Sequence, residues 1–204
     1  MIKTIYLIRH SGPFIKLYDY ETQTWDEFNK NMILNSEGEE KAKKLCFIDE
    51  LKDLDDIYAA NSFRAIGTAK YVAELNNKEI KIDSRINERN FGIEYIRDLP
   101  ENFVRDQFLD DNLKYKNGES LKEVKDRFND FISELLNSSN TKTALFIHGI
   151  VLMAYLSTIS DVNFDGESFR VIFNGQEILN GRMKNPDIYK IEYDDNKVIN
   201  ITNF

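Results

Sequence analysis

An α/β sandwich, with a mostly parallel central sheet and helices on both faces in three layers, is the fold class the sequence predicts. Two patterns carry it: apolar β-rich runs alternate with segments of helical period, and two helices are announced by capping-box spacings. The 204 residues are 42% apolar, contain no repeat or low-complexity linker, and can bury about 70% of their unfolded surface, so one domain over 1–204 is expected.

The first strand is read over Ile2 to Ile8. After a loop rich in Tyr and Trp, Ser36 and Glu39 open a helix running to about Leu51, with Cys46 as a small core residue. Asp55 to Ala60 is a short strand, and Ala65, Ala69, Val72 and Ala73 share one face of the next helix. Ile80 to Asp83 is a weak strand. Ser120 and Glu123 cap an amphipathic helix carrying Leu121, Val124, Phe128, Phe131, Ile132, Leu135 and Leu136. Thr143 to Ile147 reads as a buried strand, with Val151, Leu152, Tyr155, Leu156 and Ile159 at helical spacing behind it. Ile188 to Tyr193 and Val198 to Thr202 read as an edge hairpin. Two irregular stretches, 13–34 and 89–117, are expected to cover a substrate site. The first holds Lys16, Tyr18, Tyr20 and Trp25. The second holds Arg89, Arg97, Arg105, Lys114 and Lys116, which either meet a second anionic group or are merely solvated.

With 27 Lys and Arg against 35 Asp and Glu the formal charge is −8, which argues against nucleic acid or an anionic membrane as partner. The single cysteine excludes a disulfide framework within the chain and suits a reducing compartment. The apolar part of MIKTIYLIRH is too short for a secretory signal. Ala144 to Leu156, interrupted by His148 and Gly149, falls short of the roughly 20 residues that span a bilayer. A cytoplasmic location is expected.

The chain has two histidines, and both follow apolar strands, in TIYLI-Arg9-His10 and ALFI-His148-Gly149. Open α/β sheets bind ligands outside the carboxyl ends of their strands, so neighbouring strands would bring both imidazoles to one site. Arg64, in the first turn of a helix that also comes after a strand, would join Arg9 there. Guanidinium forks and helix N-termini suit phosphate, and a neutral imidazole nitrogen is a competent nucleophile towards phosphorus. The alternative is that His10 and His148 are ordinary buried or loop histidines. A metal is disfavoured, because neither His-x-x-His nor His-Glu-x-x-His spacing occurs and the arginines would repel a cation.

Several further segments stand in a familiar order: Leu34-Asn35-Ser36-Glu37-Gly38-Glu39-Glu40-Lys41-Ala42, then Asn61-Ser62-Phe63-Arg64-Ala65 with Thr68-Ala69. Ile86-Asn87-Glu88-Arg89-Asn90-Phe91-Gly92, Gly118-Glu119-Ser120-Leu121 and Phe146-Ile147-His148-Gly149 come after them. Together with the Arg9-His10 start, the chain resembles the histidine phosphatase, or phosphoglycerate mutase-like, superfamily over nearly its whole length. The resemblance implies that His10 attacks phosphorus and becomes phosphohistidine. It implies that Arg9, Arg64 and His148 hold the phosphoryl oxygens, and that Glu88 protonates the leaving oxygen and then activates water, without metal or cofactor. A metal-independent phosphomonoesterase of the histidine acid type, acting on a small phosphorylated metabolite, is therefore expected. A phosphoglycerate-type mutase is the first alternative and a non-catalytic phospholigand-binding protein the second. Ser11 stands where the family has glycine and Lys16 where a substrate-site Asn is frequent, so both are candidate substrate contacts. Ala59-Ala60 replace paired serines, and Met153 replaces a frequent Arg.

Overall fold

The structure, a computed structural model, describes residues 1–15, 19 and 22–204. In chain order its first half holds β1 (Lys3–Arg9), α1 (Trp25–Asn31), α2 (Ser36–Lys44), β2 (Asp56–Ala59), α3 (Phe63–Leu75), β3 (Ile80–Ile82) and α4 (Phe103–Leu109). The second half holds α5 (Leu121–Asn137), β4 (Lys142–Ile147), α6 (Gly149–Leu156), β5 (Asp161–Phe164), β6 (Phe169–Phe173), β7 (Gln176–Gly181), β8 (Asp187–Asp194) and β9 (Lys197–Asn203). The main sheet runs β3-β2-β4-β1-β8-β9. Its first four strands are parallel, and β8 and β9 close it as an antiparallel edge.

Ile5 to Ile8 are buried on both faces of the sheet, which is why this strand reads as a continuous apolar run rather than an alternation. Tyr58 of β2 meets Phe131 of α5 edge-on at 5.0 Å, and Phe128 of α5 stacks on Tyr155 of α6 at 4.8 Å. The seven apolar residues expected on the buried face of α5 are all buried there, and the Ser120–Glu123 capping box is formed. The other expected box is not. Asn35 caps α2, its side-chain oxygen accepting from the Gly38 amide at 2.7 Å, and its Nδ2 donates to the Pro13 carbonyl. A cap one residue earlier thus also ties the helix to the loop after β1. The helix ends at Lys44 and continues as two tighter turns, Leu45–Phe47 and Asp49–Leu51. Cys46 lies half-buried in the first of these rather than in the core.

A second sheet, β5-β6-β7, has no counterpart in the sequence expectations. Its signal was present: Asn174-Gly175, both at positive φ, joins β6 to β7 as the dipeptide favoured in tight hairpins. Phe164 and Phe169 of this sheet stack at 4.2 Å, and Phe108 of α4 packs on both at 5.4 Å. The 89–117 segment accordingly has a small core of its own, with Phe91, Ile93 and Phe103 buried beside Trp25 and Tyr115. Trp25 meets Phe91 edge-on at 5.1 Å and serves that core. Lys16, Tyr18 and Tyr20 lie outside the described residues. No helix among the described residues is long and apolar enough to cross a membrane.

Candidate active site

Because β1 and β4 are parallel neighbours in register from Thr4↔Lys142 to Arg9↔Ile147, the residues just beyond them emerge side by side. The His10 and His148 rings meet edge to face, 5.2 Å between centroids. His148 stands at the N-cap of α6, and Gly149 lets the Arg9 guanidinium lie against the helix start, since a Cβ there would sit 3.0 Å from Arg9 Nε. Next to β4, β2 delivers α3, whose first turn carries Arg64, buried with only 3% exposure. Arg9, His10 and Glu88 open into a cavity of about 510 Å³, lined further by Gly149, Ile150, Phe164, Phe169, Arg182, Met183 and Asn185, while Arg64 and His148 stand behind its wall. A larger cleft of about 780 Å³ between α4 and β5/β6 contains no histidine.

Both imidazoles are neutral, and their tautomers are set by their partners. His10 Nδ1 donates to the Ser11 carbonyl at 2.8 Å, an atom that can only accept, so the lone pair is on Nε2. Burial and then the Arg64 charge hold this imidazole well below the usual histidine range, the Ser11 bond opposing them in part. At His148, Arg64 Nη2 donates to Nδ1 at 2.8 Å, which leaves the proton on Nε2 facing Ser62 Oγ at 3.3 Å. Burial, then Arg64, keeps it well below its ordinary value too.

Arg9 donates through Nη1 to the Met183 and Lys184 carbonyls, and its buried Nε has no partner among the described residues. Arg64 carries more than the His148 contact: its fork also donates to the backbone carbonyl of Asn29 and, at 2.5 Å, to the Asn29 side-chain oxygen. Burial pulls its guanidinium down to about 10 against the opposing pull of Glu88. The Glu88 carboxylate lies 3.6 Å from His148 Nδ1 and accepts the Arg89 amide at 3.0 Å. Two guanidiniums, two neutral imidazoles and one carboxylate thus share a site in which an oxyanion would find more donors than acceptors.

The profile of the histidine phosphatase superfamily (branch 1) matches residues 5–197. The chain belongs to that superfamily. Similar folds include a mycobacterial glucosyl-3-phosphoglycerate phosphatase, 16% identical, with TM-score 0.70 over 100% of this chain and 97% of that one. They also include a phosphoglycerate mutase from Bacillus anthracis, 20% identical, with TM-score 0.65 over 97% and 90% of the two chains. No curated protein matches the sequence.

Within this histidine phosphatase fold, His10, His148, Arg9, Arg64 and Glu88 are brought together, and Ser11 is not part of the group. Its side chain is fully buried, its hydroxyl donating to the Gly38 carbonyl at 2.7 Å and its amide to Thr68 Oγ1 at 2.9 Å. This small polar side chain between β1 and α2 binds backbone and does not line the cavity. Arg89 is neither solvated nor at the site: it is 1% exposed, stacks on Phe91 at 4.2 Å and donates to Gln107. Two participants escaped the sequence reading. Ser62 supplies to His148 a hydroxyl where Ala59-Ala60 have none, and Asn29 occupies the Arg64 fork. The first stood two residues before Arg64 in the motif; the second had no local signal.

The two buried neutral imidazoles set a pH dependence of stability. Their folded values lie below the unfolded value near 6.5, so the unfolded chain binds more protons below that pH and stability falls as pH drops through it. Each histidine contributes a slope of up to about 1.4 kcal/mol per pH unit, and the contribution vanishes above the unfolded value. Urea unfolding between pH 7.5 and 5.5 is expected to show this loss and to show less of it in His148→Asn. A flat profile would contradict the assignment of neutral imidazoles.

Proposed function

We propose that the protein is a metal-independent phosphomonoesterase that passes the phosphoryl group through His10. The observation that carries this reading is the His10 Nδ1 bond to the Ser11 carbonyl, which fixes an unprotonated Nε2 at the wall of the cavity. Nε2 forms the new bond to phosphorus as the ester oxygen leaves. Arg9 Nε, the amides at the start of α6 and Arg64, on release from Asn29, hold the phosphoryl oxygens. His148, whose Nε2 carries the proton, joins them as a neutral donor on turning from Ser62. Glu88 gives its proton to the leaving oxygen and, as carboxylate, takes one from the water that hydrolyses phosphohistidine.

The outer cavity favours a monoester of a small organic alcohol. Ile150, Phe164, Phe169 and Met183 line it, and its one cation beyond Arg9, among the described residues, is Arg182, which pairs with Glu167. A substrate with a second strongly anionic group would have to break that pair. The mutase reading rests on the Ile86 to Gly92 sequence, which looks like the mutase form of the acidic motif.

Phosphate release from a panel of phosphomonoesters in EDTA, combined with alkaline quenching to trap the acid-labile phosphohistidine, tests the proposal. Release and a phosphoenzyme are expected. Because His10 stays neutral under mildly acidic conditions, kcat/KM is expected to persist below pH 6.5. Isomerisation of a phosphoglycerate without net release would establish the mutase instead, and binding with neither turnover nor phosphoenzyme would establish a phospholigand-binding protein.

A further inference from the structure

Glu88 sits in a stretch with little regular structure of its own, between the turn Ser84–Ile86 and the 89–117 segment. A carboxylate that must reach a leaving oxygen, on a loop without ladder bonds, needs its backbone held by something else. Arg127 of α5 does this from one side. Its guanidinium makes four hydrogen bonds: Nη1 to the Arg85 carbonyl at 2.6 Å, Nη2 to the Asn87 carbonyl at 3.0 Å, and Nε and Nη2 to the two Glu119 oxygens at 2.8 and 3.2 Å. Glu119 holds the other side. Its Oε2 accepts the Asn90 amide at 2.8 Å, and its own amide donates to the Asn90 carbonyl at 2.7 Å.

Carbonyls 85 and 87 and the amide of residue 90 are therefore gripped by one ion pair, and the Asn90 carbonyl by the Glu119 backbone amide, with Glu88 between them. The Asn87 side-chain oxygen also accepts the Asn61 amide at 2.7 Å, which registers the gripped loop against the segment that carries Arg64. The neighbours of Glu119 explain how the grip closes. Gly92 has φ +71, and a Cβ on it would lie 2.2 Å from the Tyr115 carbonyl oxygen, while a Cβ on Gly118 would lie 2.5 Å from the Phe91 carbonyl carbon. The two backbones touch because neither residue has a side chain, and Ser120 then starts α5. Each of the residues Gly118, Glu119 and Ser120 thus has its own part in bringing the helix to the acid loop.

We propose that Arg127 and Glu119 are positioning residues for Glu88, a bidentate pair that fixes the acid loop relative to the phosphate cradle without touching substrate. The inference rests on the reading of Glu88 as the acid of the reaction. Loosening the pair lets the carboxylate wander from the leaving oxygen while Arg9, His10 and Arg64 stay in place. The cost should then fall on substrates whose leaving group needs a proton.

The test compares kcat/KM for p-nitrophenyl phosphate, whose leaving group departs readily as an anion, with that for glycerol phosphate, whose alkoxide does not. Wild type, Glu88→Gln, Arg127→Met, Arg127→Lys and Glu119→Gln are measured side by side. Arg127→Met is expected to lose about 10- to 100-fold on glycerol phosphate and less than about 3-fold on p-nitrophenyl phosphate, a part of the roughly 10²- to 10⁴-fold that general acid catalysis supplies. Arg127→Lys, which keeps the charge but loses the planar fork that reaches both carbonyls and Glu119 at once, should recover only part of the loss. Glu119→Gln keeps an acceptor for the Asn90 amide but loses the charge pair, and carries the same test if Arg127→Met does not fold. Equal losses on both substrates, or none, overturn the proposal. If Glu88→Gln shows the split and neither Arg127→Met nor Glu119→Gln does, the positioning role falls alone; if Glu88→Gln itself shows no split, the acid assignment falls and the positioning role with it.

Discussion

Replacement of His10 by alanine is expected to lower kcat by at least about 10⁴-fold and to abolish the trapped phosphoenzyme. Nothing else in the cavity offers a nucleophile in the same place: His148 has Nδ1 engaged by Arg64 and Nε2 directed at Ser62. The variant should fold, because the His10 side chain lies at the cavity wall with 7% exposure rather than inside the apolar core. It should also keep its affinity for inorganic phosphate within about 3-fold, since the guanidiniums of Arg9 and Arg64 remain. Retained phosphate binding with lost turnover separates removal of the nucleophile from collapse of the site. Turnover within about 10-fold of wild type would place the covalent step elsewhere, or show that none exists.

Gly38→Ala is expected to destabilise the protein by about 3 kcal/mol, at the upper end of ordinary overpacking, and to lower kcat by about 10²-fold. Its Cβ would stand 2.1 Å from the Gly12 carbonyl oxygen and 2.9 Å from the Gly12 carbonyl carbon and nitrogen. All three are backbone atoms, so no rotamer change relieves the contact, and α2 must move away from the loop after β1. That movement breaks the Ser11 hydroxyl bond to the Gly38 carbonyl and disturbs the Ser11 carbonyl that selects the His10 tautomer. For a chain of this size the stability loss is a fall in Tm of about 6–12 °C. Gly67→Ala is the control: its Cβ meets only the Leu34 side chain, at 3.4 and 3.5 Å, inside α3. There alanine should raise stability by about 0.5–1 kcal/mol through helix propensity. Similar outcomes for the two substitutions would show that the α2 contact does not govern the nucleophile loop.

The contrast between these glycines also shows how much was legible in the sequence. Arg9, His10, Arg64 and His148 could be found because each comes at or just after a strand end, and parallel strands deliver their carboxyl-end loops to one edge of the sheet. Glu88 needed the resemblance, since it lies on a loop that no periodicity marks. The burial of Ser11 was not legible, because a hydroxyl next to His10 looks the same in sequence whether it faces the cavity or the backbone. The Asn29 contact with Arg64 and the grip of Arg127 on residues 85 and 87 join segments far apart along the chain, and no local rule reports such pairs. The second sheet could have been read from its Asn174-Gly175 turn and from the alternation of Val162, Phe164, Phe169 and Val171.

The central place of β1 has a consequence for how the molecule is made. The strand that carries Arg9 and leads into His10 is flanked by β4 and β8, both drawn from the last third of the chain. On a ribosome adding about 5–20 residues per second, this apolar strand emerges long before either neighbour exists, and both its edges stay open meanwhile. Pairings of such long sequence separation close slowly, so the nascent chain is exposed to aggregation and to chaperones until β8 is released. A nascent chain stalled before β8 would carry Arg9 and His10 at the end of a strand that still lacks one of its two neighbours.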